Sequence, residues 1–377
     1  MNRIIIYIVF SFLLVSCSEK IKEEYAIDKC MAIEKIVLPE SEVLNMKTYF
    51  ITASYGQLLY GYNMKEHALD VFNLQTMTSR QIGMEYEGPD AVVGDISALL
   101  VSSPDSIWVC DEAMHILLLN AEGGVRQTLN VTDFLNEGES ALIDRNHATS
   151  TAQINYDEQA DKIMFGVRVR DGARKGFLVR AVSLSSGDYS DYELDNSVSV
   201  PNVADGLYAN MSKPNIVFAN GKVLYNYPVE SHVYVLDFRT GERQTVEAVS
   251  HYSKNVADKC RDMTDYAEWE RHGIINPHFF EVMYVPDSHA YVRLHLSEHE
   301  FSDEPDLTKV NDDRDMYLTL FDEDFNMIGE SKLPSHRYSY YTGWCALADG
   351  ICLFVNNSLD EAEKSEELVL DYYKISL

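Results

Sequence analysis

A two-strand pattern that recurs five times limits what this chain can become more than any other feature. His67-Ala-Leu-Asp-Val-Phe-Asn-Leu runs into a turn at Gln75-Thr76 and on to Ser79-Arg-Gln-Ile. The same order returns at Ile107-Trp-Val-Cys, with His115-Ile-Leu-Leu-Leu-Asn-Ala-Glu-Gly-Gly-Val-Arg-Gln-Thr-Leu behind it. It returns again at Phe177-Leu-Val-Arg-Ala-Val-Ser-Leu-Ser-Ser-Gly-Asp-Tyr, at Val233-Tyr-Val-Leu-Asp-Phe-Arg-Thr-Gly-Glu-Arg-Gln-Thr-Val and at Tyr317-Leu-Thr-Leu-Phe-Asp-Glu-Asp-Phe-Asn-Met-Ile-Gly-Glu. β-branched and aromatic runs on either side of a short polar stretch are the mark of antiparallel strands joined by a tight turn. A lone hairpin is barely stable in water, so the copies must pack on one another. The expected fold is therefore all-β, a β-propeller of radially arranged four-stranded sheets. The turns, near Thr76, Glu122, Ser186, Thr240 and Glu323, are unevenly spaced. At about 60 residues a blade, the chain beyond its N-terminal segment makes six blades, with seven the competing count. No strict Trp-Asp or Gly-His repeat signature appears, which keeps a β-sandwich with a second domain as the alternative.

The uneven spacing has a visible source between the fourth and fifth copies. Val256, Cys260, Met263 and Ala267 recur at helical spacing, which predicts an inserted helix over 254–272, stopped by Gly273 with Pro277 following. Ser358 to Glu367 reads as a charged loop. The terminal Leu368-Val-Leu-Asp-Tyr-Tyr-Lys-Ile-Ser-Leu reads as a strand, and Cys30 to Leu38 as the partner that closes the ring and removes its exposed edge. With no clean linker between copies, residues 30–377 form a single propeller domain.

Ahead of it, Arg3 and an apolar run from Ile4 to Val15 lead into Leu14-Val15-Ser16-Cys17. Twelve residues of helix rise roughly 18 Å. That falls well short of a hydrocarbon core of roughly 30 Å, so a targeting segment is favoured over an uncleaved anchor. Leu-Val-Ser-Cys resembles the bacterial lipobox, with Ser where Gly or Ala is commoner. On that resemblance residues 1–16 are a lipoprotein signal peptide, Cys17 is the lipidated N-terminus, and residues 17–29 are its linker. Several acyl chains would then hold the domain at a membrane. Lys22-Glu23-Glu24 resembles the signal that sends Bacteroidetes lipoproteins to the outer face of the outer membrane; a plain solvated linker in the periplasm is the alternative.

A formal net charge of −29 repels phosphate backbones, so nucleic acid is not an expected partner. The expected partners are the membrane, through the lipid, and a protein or glycan ligand; the oligomeric state is left open. Besides Cys17 there are five cysteines, Cys30, Cys110, Cys260, Cys345 and Cys352, an odd number in a compartment that permits disulfides. A turn at Asp349-Gly350 would set Leu347 opposite Cys352 and make Cys345 its diagonal neighbour. Diagonal Cα atoms are about 7 to 8 Å apart, too far for a bridge.

Linear motifs for chemistry are few. His295-Leu-Ser-Glu298-His299 matches the inverted zinc-protease pattern, but Ala290 to Leu296 alternates like a strand. Two imidazoles four residues apart on a strand stand roughly 13 Å apart, and no zinc joins them. Ser302-Asp-Glu-Pro-Asp and Asn311-Asp-Asp-Arg-Asp lack the ligand order of a calcium loop. No metal site, cofactor or catalytic residue is therefore assigned. The candidate ligand-binding residues are Tyr338, Tyr340, Tyr341 and Trp344 with nearby Arg337, rings that could stack on a sugar or peptide from an exposed face. His278-Phe279-Phe280 is a second aromatic group. Blade core is the alternative for both.

Tyr86-Glu87-Gly88-Pro89-Asp90, Tyr284-Val-Pro-Asp-Ser-His-Ala-Tyr-Val-Arg293 and Leu320-Phe-Asp-Glu-Asp-Phe-Asn-Met-Ile-Gly-Glu330 together resemble the Bacteroidetes lipoproteins of domain of unknown function 4221, allied to TolB-like six-bladed propellers. Asp90 stands where that group is expected to carry Asn. The resemblance implies a propeller and an outer-membrane lipoprotein, and it brings no activity and no functional residues. Two functions follow for testing. One is a non-enzymatic binding or scaffolding propeller of the cell envelope. The other is a carbohydrate- or peptide-directed hydrolase or lyase, which needs two carboxylates, or a histidine with a carboxylate, converging in the central funnel.

Overall fold

The computed structural model describes residues 27, 29–38, 46–88, 90–143, 154–172, 174–300, 306–340, 342–360 and 367–377. Residues 1–16, Cys17 and Lys22 to Glu24 lie outside the described residues, as do Pro89, residues 302–305 of the first acidic cluster, Tyr341, and residues 361–366 of the charged loop.

After β1 (Met31–Val37), the first blade is β2 (Thr52–Tyr55), β3 (Leu58–Asn63), β4 (Ala68–Asn73) and β5 (Thr78–Gly83). The second is β6 (Ala98–Ser103), β7 (Ser106–Cys110), β8 (His115–Leu119) and β9 (Val125–Asn130). In the third, β10 (Glu139–Ala141) and β11 (Ile154–Asp157) share one edge of β12 (Lys162–Asp171), followed by β13 (Arg174–Ser183) and β14 (Tyr189–Leu194). The fourth is β15 (Asn215–Ala219), β16 (Lys222–Asn226), β17 (Val233–Asp237) and β18 (Arg243–Val246). The fifth is β19 (His278–Val285), β20 (Ala290–Leu296), β21 (Met316–Phe321) and β22 (Met327–Lys332). The sixth holds β23 (Trp344–Leu347), β24 (Gly350–Phe354) and β25 (Val369–Ile375), and β1 completes it by pairing all seven of its residues with β25. The chain is thus a six-bladed β-propeller, closed by its own N-terminal strand.

The five sequence copies are the two outer strands of the first five blades. Each turn is set by the same device, a side chain at the end of the third strand that accepts backbone N–H groups from the turn. Asn73 accepts from Gln75 and Thr76, Asn120 from Glu122 and Gly124, Asp237 from Arg239 and Thr240, and Asp322 from Asp324 and Asn326. Ser183 does this for Ser186. Strands between the inner and outer edges are sealed on both faces, so β21 is buried throughout while β5 alternates. The apolar side chains of neighbouring blades interlock into the core, for example Leu294 and Leu318 with Ile351 and Leu353 across the fifth and sixth blades.

Two expectations need correction. The inserted segment carries a helix, but it is α1 (Tyr266–Ile275), not 254–272. Val256 is 41% exposed and pairs as a single bridge with Glu230, so its helical spacing with Cys260 and Met263 is coincidental. The start is instead fixed by Asp265, whose carboxylate accepts from the Ala267 N–H, and Gly273 lies inside the helix. A short α2 (Leu307–Asp312), capped by Asp306, was not foreseen.

The β23–β24 turn is Ala348-Asp349, which pairs Leu347 with Gly350 and sets Cys345 directly across from Cys352. Gly350 serves packing, not the turn: a Cβ there would meet the Tyr373 carbonyl oxygen at 2.1 Å. Directly opposed Cα atoms lie about 5.5 Å apart, within disulfide range, so the distance argument against a bridge fails. All five described cysteines are nevertheless free thiols. The Cys352 thiol donates to the Cys345 carbonyl at 3.5 Å, and burial pushes the Cys345 thiol up to about 11.

Candidate functional site

The six innermost strands, β2, β6, β11, β15, β19 and β23, stand side by side around the axis. They enclose a central cavity of about 460 Å³. Its wall runs from Thr52 to Tyr55 on β2, through Leu99 to Val101, Ile154 and Asn155, and Val217 to Ala219, to Glu281, Met283 and Tyr284 and Trp344 to Leu347. The hydroxyls nearest β23 are already committed: Thr52 donates to the Trp344 carbonyl and Ser54 to the Ala346 carbonyl, both at 2.6 Å. Tyr55, at one mouth, is 42% exposed.

One residue breaks the apolar run of β19, His-Phe-Phe-Glu-Val-Met-Tyr-Val. Between Phe279, opposite His295, and Val282, opposite Arg293, the register slips by one residue. Such a bulge re-aims side chains. Phe280 packs on Trp344 with ring centroids 4.7 Å apart, and Glu281 reaches the cavity wall. Glu281 is only 6% exposed. Its Oε1 accepts from the Trp344 indole N–H at 2.7 Å, while its Oε2 is buried with no hydrogen-bond partner. Burial pushes its carboxyl up to about 7, against the opposing pull of the backbone and the indole. Among the described lining residues there is no second carboxylate and no His, Lys or Arg.

That raised value has a consequence for stability. The folded protein keeps the proton to about pH 7, whereas an unfolded glutamate releases it near ~4.3. Stability from this group is full below the unfolded value, falls as pH rises through the folded one, and is level above it. The difference is about 4 kcal/mol. Glu281→Gln keeps an acceptor for Trp344 and removes the charge. We expect it to be about 4 kcal/mol more stable than the wild type at pH 8 and nearly equal to it at pH 4, by urea unfolding. The same offset at both pH values would sink this account.

The residues singled out from sequence have other surroundings. Arg337 is bound through Nε and Nη2 to Asp371, the latter at 2.7 Å, and through Nη1 to Asp360. Tyr338 is buried, its hydroxyl shared between Asp371 and the Tyr373 hydroxyl. Tyr340 packs against His278 and Phe280. Of the four described members, Trp344 alone borders the cavity, so no exposed aromatic platform is assembled. His278, Phe279 and Phe280 are likewise buried.

His295 sits in β20, buried, with its Nε2 3.3 Å from the Ser250 hydroxyl and 3.6 Å from Glu330. His299 lies past the strand end beside Asp313, and Glu298 accepts from the Lys254 N–H. Ser250, His295 and Glu330 are sealed between blades, where no substrate reaches them. In the second acidic cluster each side chain has its own partner: Asp312 with Ser358, Asp313 with His336, Asp315 with Lys332. Among the described residues no three His, Cys, Asp or Glu side chains converge as a metal site, and no helix is long and apolar enough to cross a membrane.

Sequence reading missed Glu281. Its signal was a lone charge inside an eight-residue apolar strand.

Residues 33–332 match the family model described as domain of unknown function (DUF4221). Among solved structures, a member of that family from Bacteroides vulgatus superposes with a TM-score of 0.70 at 14% identity, over 92% of this chain and 98% of that one. A protein of Bacteroides fragilis described as exported gives 0.58 at 13% identity, over 93% and 96%. At such identities the likeness shows the fold. No curated protein matches the sequence.

Proposed function

Because the chain belongs to the family of domain of unknown function 4221, which supplies a fold and no activity, we propose a function from its own cavity: a non-enzymatic binding propeller of the cell envelope. It holds a protein or glycan partner through the central channel and is tethered to the outer membrane by acylated Cys17. The observation that carries the reading is the buried, half-partnered Glu281 on the channel wall. A concave, preformed cavity that mixes apolar side chains with a few polar groups, one of them a carboxyl, is what a binding site requires. A hydrolase would need a second carboxylate or a histidine beside Glu281. The lipobox-like Leu14 to Cys17 supports the address.

Photo-crosslinking in intact cells tests the channel. A benzophenone amino acid replaces Tyr55, at the mouth, or Tyr266, 72% exposed on α1. Adducts from position 55 and none from 266 are the expected result. Adducts from 266 alone, or from neither, would overturn a channel-borne partner. Labelling with a fatty-acid analogue, lost in Cys17→Ser, tests the tether.

A further inference from the structure

The Oε2 of Glu281 asks for a donor that the protein does not supply. It is buried and has no hydrogen-bond partner, and Glu281 borders a cavity of about 460 Å³. Its other oxygen is held by a donor-only indole at 2.7 Å, which leaves Oε2 as the open acceptor. The lining names what is excluded. With no Lys, Arg or His on the described wall, and with the Thr52 and Ser54 hydroxyls donated to backbone carbonyls, no cationic group there receives an anion. A hydrated metal ion would find one carboxylate and, of the other His, Cys, Asp and Glu side chains, only the Cys345 thiol on the described wall, which burial keeps protonated. The walls at Leu100, Val217 and Met283 are apolar and suit methylene groups. The whole chain, at −29, draws cations toward its openings.

We propose that the channel is a site for an aliphatic ammonium, from a free amine or from a lysine side chain of a partner, whose N–H groups satisfy Glu281 Oε2 while its methylenes lie along the apolar wall. This rests on the reading of the channel as the binding site and names its chemistry. The ammonium forms a charge-assisted hydrogen bond to an oxygen shielded from solvent, where such a pair is at its strongest. It binds the ionised carboxylate and so displaces one proton below about pH 7. The other titratable groups bordering the cavity are the Cys345 thiol and the Tyr55 and Tyr284 phenols, none of them a cation. His278, on the same strand, is held neutral by burial, which pushes its imidazole down to about 3.

The test titrates full-length protein in detergent with n-butylamine, 1,5-diaminopentane, Nα-acetyl-lysine amide and n-butanol, followed by calorimetry and by the Trp344 indole N–H resonance. Wild type should bind the amines and not n-butanol. Affinity should fall about tenfold per pH unit below pH 7, as the proton competes. Glu281→Gln should lose at least tenfold in amine affinity while it still melts cooperatively. Tighter binding of the lysine amide than of the free amines assigns the ammonium to a partner side chain; the reverse order assigns it to a small amine. Equal binding of n-butanol, amine binding unchanged in Glu281→Gln, or no amine binding at millimolar concentration would each overturn the proposal. Should Tyr55 adducts form while the amines fail, the ammonium chemistry falls and the channel reading stands; should both fail, both fall.

Discussion

Cutting the chain before Tyr49, so that β1 is lost with everything ahead of it, is expected to abolish cooperative folding. β1 looks dispensable by burial, with Ile33 58% exposed, because it is the outermost strand of its blade. Its contribution is the ladder. Seven residues pair with β25, the Leu38 N–H donates to the Leu368 carbonyl, the Ser376 N–H donates to the Cys30 carbonyl, and Leu38 itself is buried. At about 1 kcal/mol net per hydrogen bond the loss approaches ~7 kcal/mol, comparable with the ~5–15 kcal/mol that holds a typical domain together. The cut also bares β25 as an open edge, a template for aggregation. A deletion ending at residue 26 keeps the ladder and serves as control. Urea unfolding followed by tryptophan fluorescence reads the result, and a truncated protein with the control's midpoint and slope would show that β1 does not hold the ring shut.

The same strand explains how much of the fold was legible. Third and fourth strands of the first five blades are contiguous in sequence, and each begins its turn with an Asn, Asp or Ser that caps the turn N–H groups, so five copies stand out. The sixth outer pair is split between the two chain ends, and no linear copy of it exists to be found. Inner strands were harder to see. Several are four or five residues long, as in β2, β11 and β23, too short for periodicity to identify. Gly350 misled because glycine has two uses, and its place against the Tyr373 backbone depends on a strand not yet paired when the sequence is read. Glu281 was hidden for a related reason: whether a charge in an apolar strand faces a blade or the axis turns on a bulge, and strict alternation does not show one. Arg337 and Tyr338 misled in the opposite direction. Their residue types suit ligand recognition, but the carboxylate that engages them lies more than thirty residues on, at Asp371.

That carboxylate supports the second large effect. Asp371 is buried on β25 and accepts from Arg337 Nε and Nη2 and from the Tyr338 hydroxyl. Replacing it by alanine leaves the Arg337 guanidinium with Asp360 alone, at 3.3 Å, and the buried Tyr338 hydroxyl with Tyr373 alone. Removing one partner of a buried charge pair costs more than the pair contributes, because the other stays desolvated. Arg337 keeps some solvent contact, with its side chain 20% exposed, so the lower end of the range applies and Asp371→Ala should lose about 3 kcal/mol. Arg337→Met, which removes the charge and keeps the length, should lose less than Arg337→Ala, since its stem still covers the blade. Neither change touches the channel, so amine or partner binding at Glu281 should persist in the folded fraction. If Arg337 were instead a ligand contact, its loss would weaken binding and leave the urea midpoint in place, and that pattern would return the recognition surface to this side of the sixth blade.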